Sequence, residues 1–184
     1  MIIFDQLLKE NMTNDGYIFW KKLESKIPNI WNRLSSSSKK YHLNENGEVQ
    51  SIGIHTYEML YAAINSLSLL NVKIKTKESD LIILAIVLHD SAKYGIEDPL
   101  TRKHTDSKHD HIIGDLINLS RNTFMKYFTN EETNLLEEMV RYHSGRWSTD
   151  LKKSNIKFES LNIKTIFVHF LDMLSSRNLL KLPK

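Results

Sequence analysis

Residues 81–94, LIILAIVLHDSAKY, constrain this chain more than any other stretch. Eight apolar residues run unbroken into His89 and Asp90, and Lys93 follows close behind. A run of that kind has no polar face, so it must be buried on all sides. A carboxylate at the end of a buried segment is costly unless it is paired or bound to a cation. Imidazole and carboxylate together suit divalent metals. Two chain neighbours cannot complete a coordination sphere, so partners must come from elsewhere in the sequence.

The rest of the chain repeats helical spacing. Phe4, Leu7 and Leu8 mark a short first helix. Ile18, Trp20, Leu23 and Ile27 mark a second, ending near Pro28. Residues 54–70 place Ile54, Tyr57, Leu60, Tyr61, Ile64, Leu67 and Leu70 on one broad face. The central run reads as a helix capped by Ser79. Helices follow over 111–119 and over 130–142, the latter capped by Asn130. The last starts at Ser160 or Asn162 and carries Ile163, Ile166, Phe167, Phe170, Leu171 and Leu174. Asp15-Gly16 and Asn46-Gly47 read as turns, and Gly95 as the end of the central helix. Residues 35–53 are polar, serine-rich and without period, which reads as a solvated loop. No segment alternates as a strand would, so the expected fold is an all-α bundle of about six or seven helices.

At 184 residues and 41% hydrophobic content, the chain can bury one core. The expected organisation is a single domain over 1–184, with a helical extension at 1–34 and a core at 35–177. The absence of cysteine excludes disulfides, thiolate metal sites and cysteine nucleophiles. A net charge of +3 suits an anionic substrate but is too small to mark a nucleic-acid binder. No sequence-specific DNA-reading motif, bilayer-length apolar run or leader-like N-terminus stands out. The expected location is the cytoplasm, or the host cytoplasm for a viral protein. A homo-oligomer stays open.

The histidines fall at helix ends. His55 opens one helix, His89-Asp90 closes another, His111 opens a third and His143 ends a fourth. Asp172 lies within the apolar last helix, where Arg177 is its alternative partner. Taken singly, each is better read as a cap, a surface group or a paired acid. His104 and His109 sit in a charged loop and read as surface groups, and His169 reads at most as a supporting residue. Together they describe a cavity between helices, which is where bundles hold metals.

The order His55, His89-Asp90, His111, His143, Asp172 resembles the HD superfamily of metal-dependent phosphohydrolases. Lys93 matches the lysine of the common HD-x-G-K version, with Ala92 standing where glycine is usual. The stretch SSSSKKYHLNENGEVQSIGIHT, with HSGRW and LDMLSSR, looks like the HD domains of bacterial 3′→5′ exoribonucleases and small phage HD proteins. Ser51, Ile52 and Gly53 replace the usual pair of glycines before His55. The resemblance covers roughly residues 35–177.

That resemblance implies an HD-domain helical bundle and a metal-dependent hydrolase. His55, His89, Asp90 and Asp172 would hold a first ion. His111 and His143 would complete a second with Asp90 as the bridge. The ions expected are Mn, Fe, Co, Ni, Zn or Mg. Asp90 and Lys93 would serve catalysis, with Lys93 also binding substrate, and Lys40, His42 and Arg146 are further phosphate contacts. Tyr41 and Trp147 are candidates for stacking on a base. The expected substrate is a nucleotide, from mononucleotides, deoxynucleoside triphosphates and cyclic nucleotides to short oligonucleotides. The alternatives are a 3′→5′ exonuclease on RNA or single-stranded DNA, and a nucleotide-binding module without catalysis. The exoribonucleases carry an RNA-binding OB domain that this chain has no room for.

Overall fold

The computed structural model describes residues 3–36, 41–44 and 46–180. Among these the chain is all-α. The helices are α1 (Asp5–Asn11), α2 (Asn14–Glu24), α3 (Ile52–Ser66), α4 (Lys77–Leu88), α5 (His109–Leu119), α6 (Arg121–Phe124), α7 (Asn130–Arg141), α8 (Thr149–Lys153) and α9 (Ile163–Ser176). The count exceeds six or seven because α6 and α8 are pieces of 4 and 5 residues. Extended backbone pairs only at two isolated bridges among the described residues, Leu34 with Ser51 and Leu43 with Val49. No described helix is long and apolar enough to cross a membrane.

The apolar run becomes α4, which is buried from Ser79 to Leu88. It packs against α2, α3, α7 and α9. Each large aliphatic side chain buried in this way contributes about 1.5–3 kcal/mol relative to exposure. Such a helix is stable only with neighbours on every side. Its cap is Thr76 rather than Ser79. The Ser79 N–H donates to Thr76 Oγ1 at 3.2 Å and the Thr76 N–H donates to Ser79 Oγ at 3.0 Å. This reciprocal box puts Asp80 in the first turn, where negative charge is favoured.

Asp80 is fully buried yet well supplied with donors. It accepts from the Thr13 N–H at 3.0 Å, from Thr13 Oγ1 at 2.5 Å and from the Tyr127 hydroxyl at 2.6 Å. Those bonds offset its desolvation and tie the start of α2 and the turn between α6 and α7 to α4. Gly16 lies inside α2 instead of forming the expected turn, and the close approach of the Asp80 carboxylate leaves no room for a side chain there. Phe4, Leu8 and Trp20 share one buried cluster with α4.

Other boundaries shift by a few residues. The second helix stops at Glu24, short of Ile27 and Pro28. Ser51 caps α3, Thr129 rather than Asn130 caps α7, and Asn162 caps α9. The fifth helix opens at His109 instead of His111. The loop before α3 is less solvated than its composition suggests: Ser35, His42 and Gln50 are buried. The His42 N–H donates to the Ser176 carbonyl at 2.6 Å, and the Gln50 N–H to the His42 carbonyl at 2.7 Å. Backbone pairing thus lays the loop against the end of α9.

Candidate metal centre

Three imidazoles are set by one local device. His89 stands just past α4, His109 opens α5, and His143 lies just past α7. Each turns its Nδ1 to the carbonyl three residues earlier: Ile86 at 2.6 Å, Asp106 at 2.9 Å and Val140 at 2.6 Å. For His89 and His143 that carbonyl is one the ending helix leaves free. A carbonyl only accepts, so Nδ1 carries the proton, and a neutral ring then presents Nε2 as a bare lone pair. Burial keeps both rings neutral, pushing His89 downward and His143 down to about 3, in each case against the nearby carboxylates.

His55, in the first turn of α3, sets its Nδ1 2.8 Å from Ser175 Oγ. Its Nε2 faces inward, 3.2 Å from His89 Nε2 and 3.1 Å from Asp172 Oδ1. His55, His89 and Asp172 form one group able to hold a metal ion. Asp90, His109 and His143 form the other. Within it, His109 Nε2 lies 3.2 Å from His143 Nε2 and 3.1 Å from Asp90 Oδ1. Asp90 touches both groups, because its Oδ2 lies 3.6 Å from His89 Nε2. That Oδ2 is buried and has no hydrogen-bond partner among the described residues.

This arrangement suits a cation between the ligand atoms. Nitrogen lone pairs do not face one another at 3.2 Å in a buried site without a proton or a metal ion between them. A metal fits the spacing: ligand atoms at about 2.0–2.2 Å from an ion, at tetrahedral or octahedral angles, stand about 3–3.5 Å apart. It also fits the orphaned carboxylate oxygen and the all-nitrogen-and-oxygen donor set. Burial raises the Asp90 carboxyl, but Lys93, with His89 and His109, outweighs it and holds the group well below the usual carboxylate range. Asp172 behaves alike, with His55 as the main opposing influence.

Five of the six expected ligands come together: His55, His89, Asp90, His143 and Asp172. His111 does not. Its ring is 41% exposed and sits between Asp115 and Asp150, with Nε2 3.2 Å from Asp115 Oδ2 and Nδ1 2.9 Å from Asp150 Oδ1. His109 takes its place. Residues two apart on a helix point to nearly opposite sides, so only one of the pair can face the centre. The signal was present in the sequence: His109, Ile113 and Ile117 share one face, and all three are buried. Asp172 meets His55, not Arg177.

A cleft of about 320 Å³ opens over the two groups. Lys93, His42, Tyr41, Trp147, His169 and Arg177 are among its walls. The Lys93 ammonium lies 2.9 Å from Asp90 Oδ1 and 3.4 Å from His109 Nε2. His42 stacks edge-on against His55, with ring centres 4.5 Å apart, and its buried Nδ1 has no partner among the described residues. Burial, reinforced by His55 and Lys93, pushes it down to about 3. Arg146 is not in the cleft; it pairs with Glu159 on the surface. Lys40 lies outside the described residues. His169 donates from Nδ1 to the His143 carbonyl at 2.7 Å. Gly145 makes room for that ring, since a side chain there would occupy its place.

Comparison with protein-family models, with curated proteins and with solved structures found no match for this chain, so the centre is read from its own geometry.

Proposed function

We propose that the chain is a metal-dependent phosphohydrolase of HD type acting on a nucleotide. One observation carries this reading: Asp90 reaches two adjacent nitrogen-and-carboxylate groups at the floor of a cleft that also holds a lysine. When bound, a divalent ion at such a group supplies Lewis acidity, acidifying water and offsetting phosphoryl charge. The chain's own residues do the rest. His55, His89 and Asp172 would hold one ion, and His109 and His143 a second, with Asp90 shared. Lys93 brings an ammonium to the same floor, where it can neutralise a phosphoryl oxygen or the leaving group. Arg177 adds a second cation on the cleft wall.

The walls favour a nucleotide over a bare phosphate ester. Tyr41 and Trp147 are 51% and 60% exposed while lining the cleft, so both rings have free faces for a base. The cleft volume is that of a small-molecule site, and the modest net charge argues against a long tract of phosphate contacts.

The test is a metal determination on purified protein, followed by a screen of nucleotides with added Mn, Co, Ni or Mg for released phosphate. Labelled oligonucleotides run in parallel. Turnover of single nucleotides, lost in Asp90→Ala, is the expected result. Shortening of oligonucleotides with mononucleotides untouched would redirect the reading to an exonuclease. Metal and nucleotide binding without turnover of either would redirect it to a binding module.

A further inference from the structure

Behind His55 lies a second layer of polar residues, all buried. His55 Nδ1 is 2.8 Å from Ser175 Oγ. Ser175 Oγ in turn donates to Glu58 Oε2 at 2.6 Å, and Gln50 Nε2 donates to Glu58 Oε1 at 2.7 Å. Ser175 and Glu58 are 0% and 7% exposed. The direction of the chain follows from the donors: the hydroxyl proton is given to the carboxylate, so Ser175 Oγ can only accept from His55. Nδ1 of His55 must therefore carry a proton, and the ring's other nitrogen is directed at His89 and Asp172. No lysine or arginine pairs with Glu58 among the described residues, although a buried carboxylate without a counter-charge is expensive. Its hydrogen-bond chain leads through Ser175 to His55.

We infer that Ser175 and Glu58 are positioning residues for metal binding: a carboxylate–serine–histidine chain that fixes the tautomer of His55 and supplies the balancing charge. This rests on the metal reading above. His89, His109 and His143 are oriented by neutral carbonyls, so His55 alone among the four has an anion behind it. Removing an outer partner of this kind weakens metal binding by about ten- to a hundredfold.

The experiment measures Zn(II) and Mn(II) affinity by chelator competition on the full chain, for wild type, Ser175→Ala, Ser175→Thr and Glu58→Gln. Circular dichroism and thermal melting confirm that each variant is folded. Ser175→Ala is expected to loosen the metal ten- to a hundredfold and Glu58→Gln severalfold, while Ser175→Thr, which keeps the hydroxyl, stays within about twofold of wild type. A merely structural role would lower the melting temperature without moving the affinity of the folded protein. Unchanged affinity in both Ser175→Ala and Glu58→Gln overturns the inference and leaves the metal centre standing. A wild type that takes up neither ion sinks the metal reading and this inference together. Should Ser175→Ala or Glu58→Gln fail to fold, the other decides by itself.

Discussion

Two clusters of imidazole and carboxylate lie on either side of α5 and α7, and they differ in what supplies their positive charge. In one, Arg141 sits among Asp115, Glu137, Asp150 and His111. Its guanidinium reaches Asp115 at 2.8 Å, Glu137 at 2.9 Å and Asp150 at 2.5 Å. Burial opposes the charge, but the three carboxylates hold the Arg141 pKa above its already high usual value. This cluster is complete without a ligand. In the other, four imidazoles and two carboxylates converge, and Lys93 serves only the Asp90 side. Among the described residues no ammonium or guanidinium pairs with His55, His89 or Asp172. The comparison shows that histidine near aspartate does not by itself mark a candidate metal site: the Arg141 cluster carries a guanidinium at its centre, whereas the other turns bare ligand atoms toward one another.

The contrast can be broken experimentally, and the largest effect should come from its centre. Asp90→Asn keeps the shape but removes the charge shared by both groups. It should lower metal affinity, and with it the hydrolysis proposed above, by more than about a hundredfold, beyond the ten- to hundredfold that an outer partner contributes. Turnover near the wild-type level would dissolve the distinction between the clusters. Next is the pair of histidines at the start of α5. His109→Ala should weaken metal binding about ten- to a hundredfold, whereas His111→Ala should leave metal content as it is. Elemental analysis after dialysis reads both, and the reverse outcome would restore His111 as the ligand.

A smaller effect belongs to the neutralised cluster. Arg141→Met leaves three carboxylates facing one another and should cost about 1–3 kcal/mol in urea unfolding, with metal affinity unaffected. The smallest is a pH effect on Asp150. Burial raises its carboxyl but the Arg141 and His111 contacts outweigh this, holding it below its ordinary value of 3.8. A depressed carboxyl contributes stability that is fully present above the unfolded value and disappears as pH falls through the folded one. Asp150→Asn should therefore cost up to about 1 kcal/mol at neutral pH, since the ion pair is partly exposed. That difference should vanish in strong acid; a penalty that persisted there would mean Asp150 matters for packing and not charge.

The legible part of the site was the part written into helix ends. His89-Asp90 follows an apolar run that has to be buried, His143 follows an amphipathic helix, and Asp172 interrupts an apolar face. Each of these positions is fixed by local periodicity. The choice between His109 and His111 was also periodic, but the adjacent charged loop masked the stripe through Ile113 and Ile117. Arg146 as a phosphate contact and Trp147 as a stacking ring were both candidates from sequence, yet the short turn at Gly145–Trp147 sends the tryptophan to the cleft and the arginine to Glu159. Glu58 and Ser175 carried no sequence signal, because they are separated by most of the chain.

From the sequence alone follow the helical class, the buried central segment and the requirement that its terminal carboxylate find a cation. Those depend on hydrophobic period and on the cost of burying charge, which are properties of short stretches. Which side chains meet, which histidine of a close pair faces inward, and which acidic cluster already contains its own cation were decided only when the helices packed. Contacts between residues a hundred positions apart leave no local trace, because the chain between them sets the geometry.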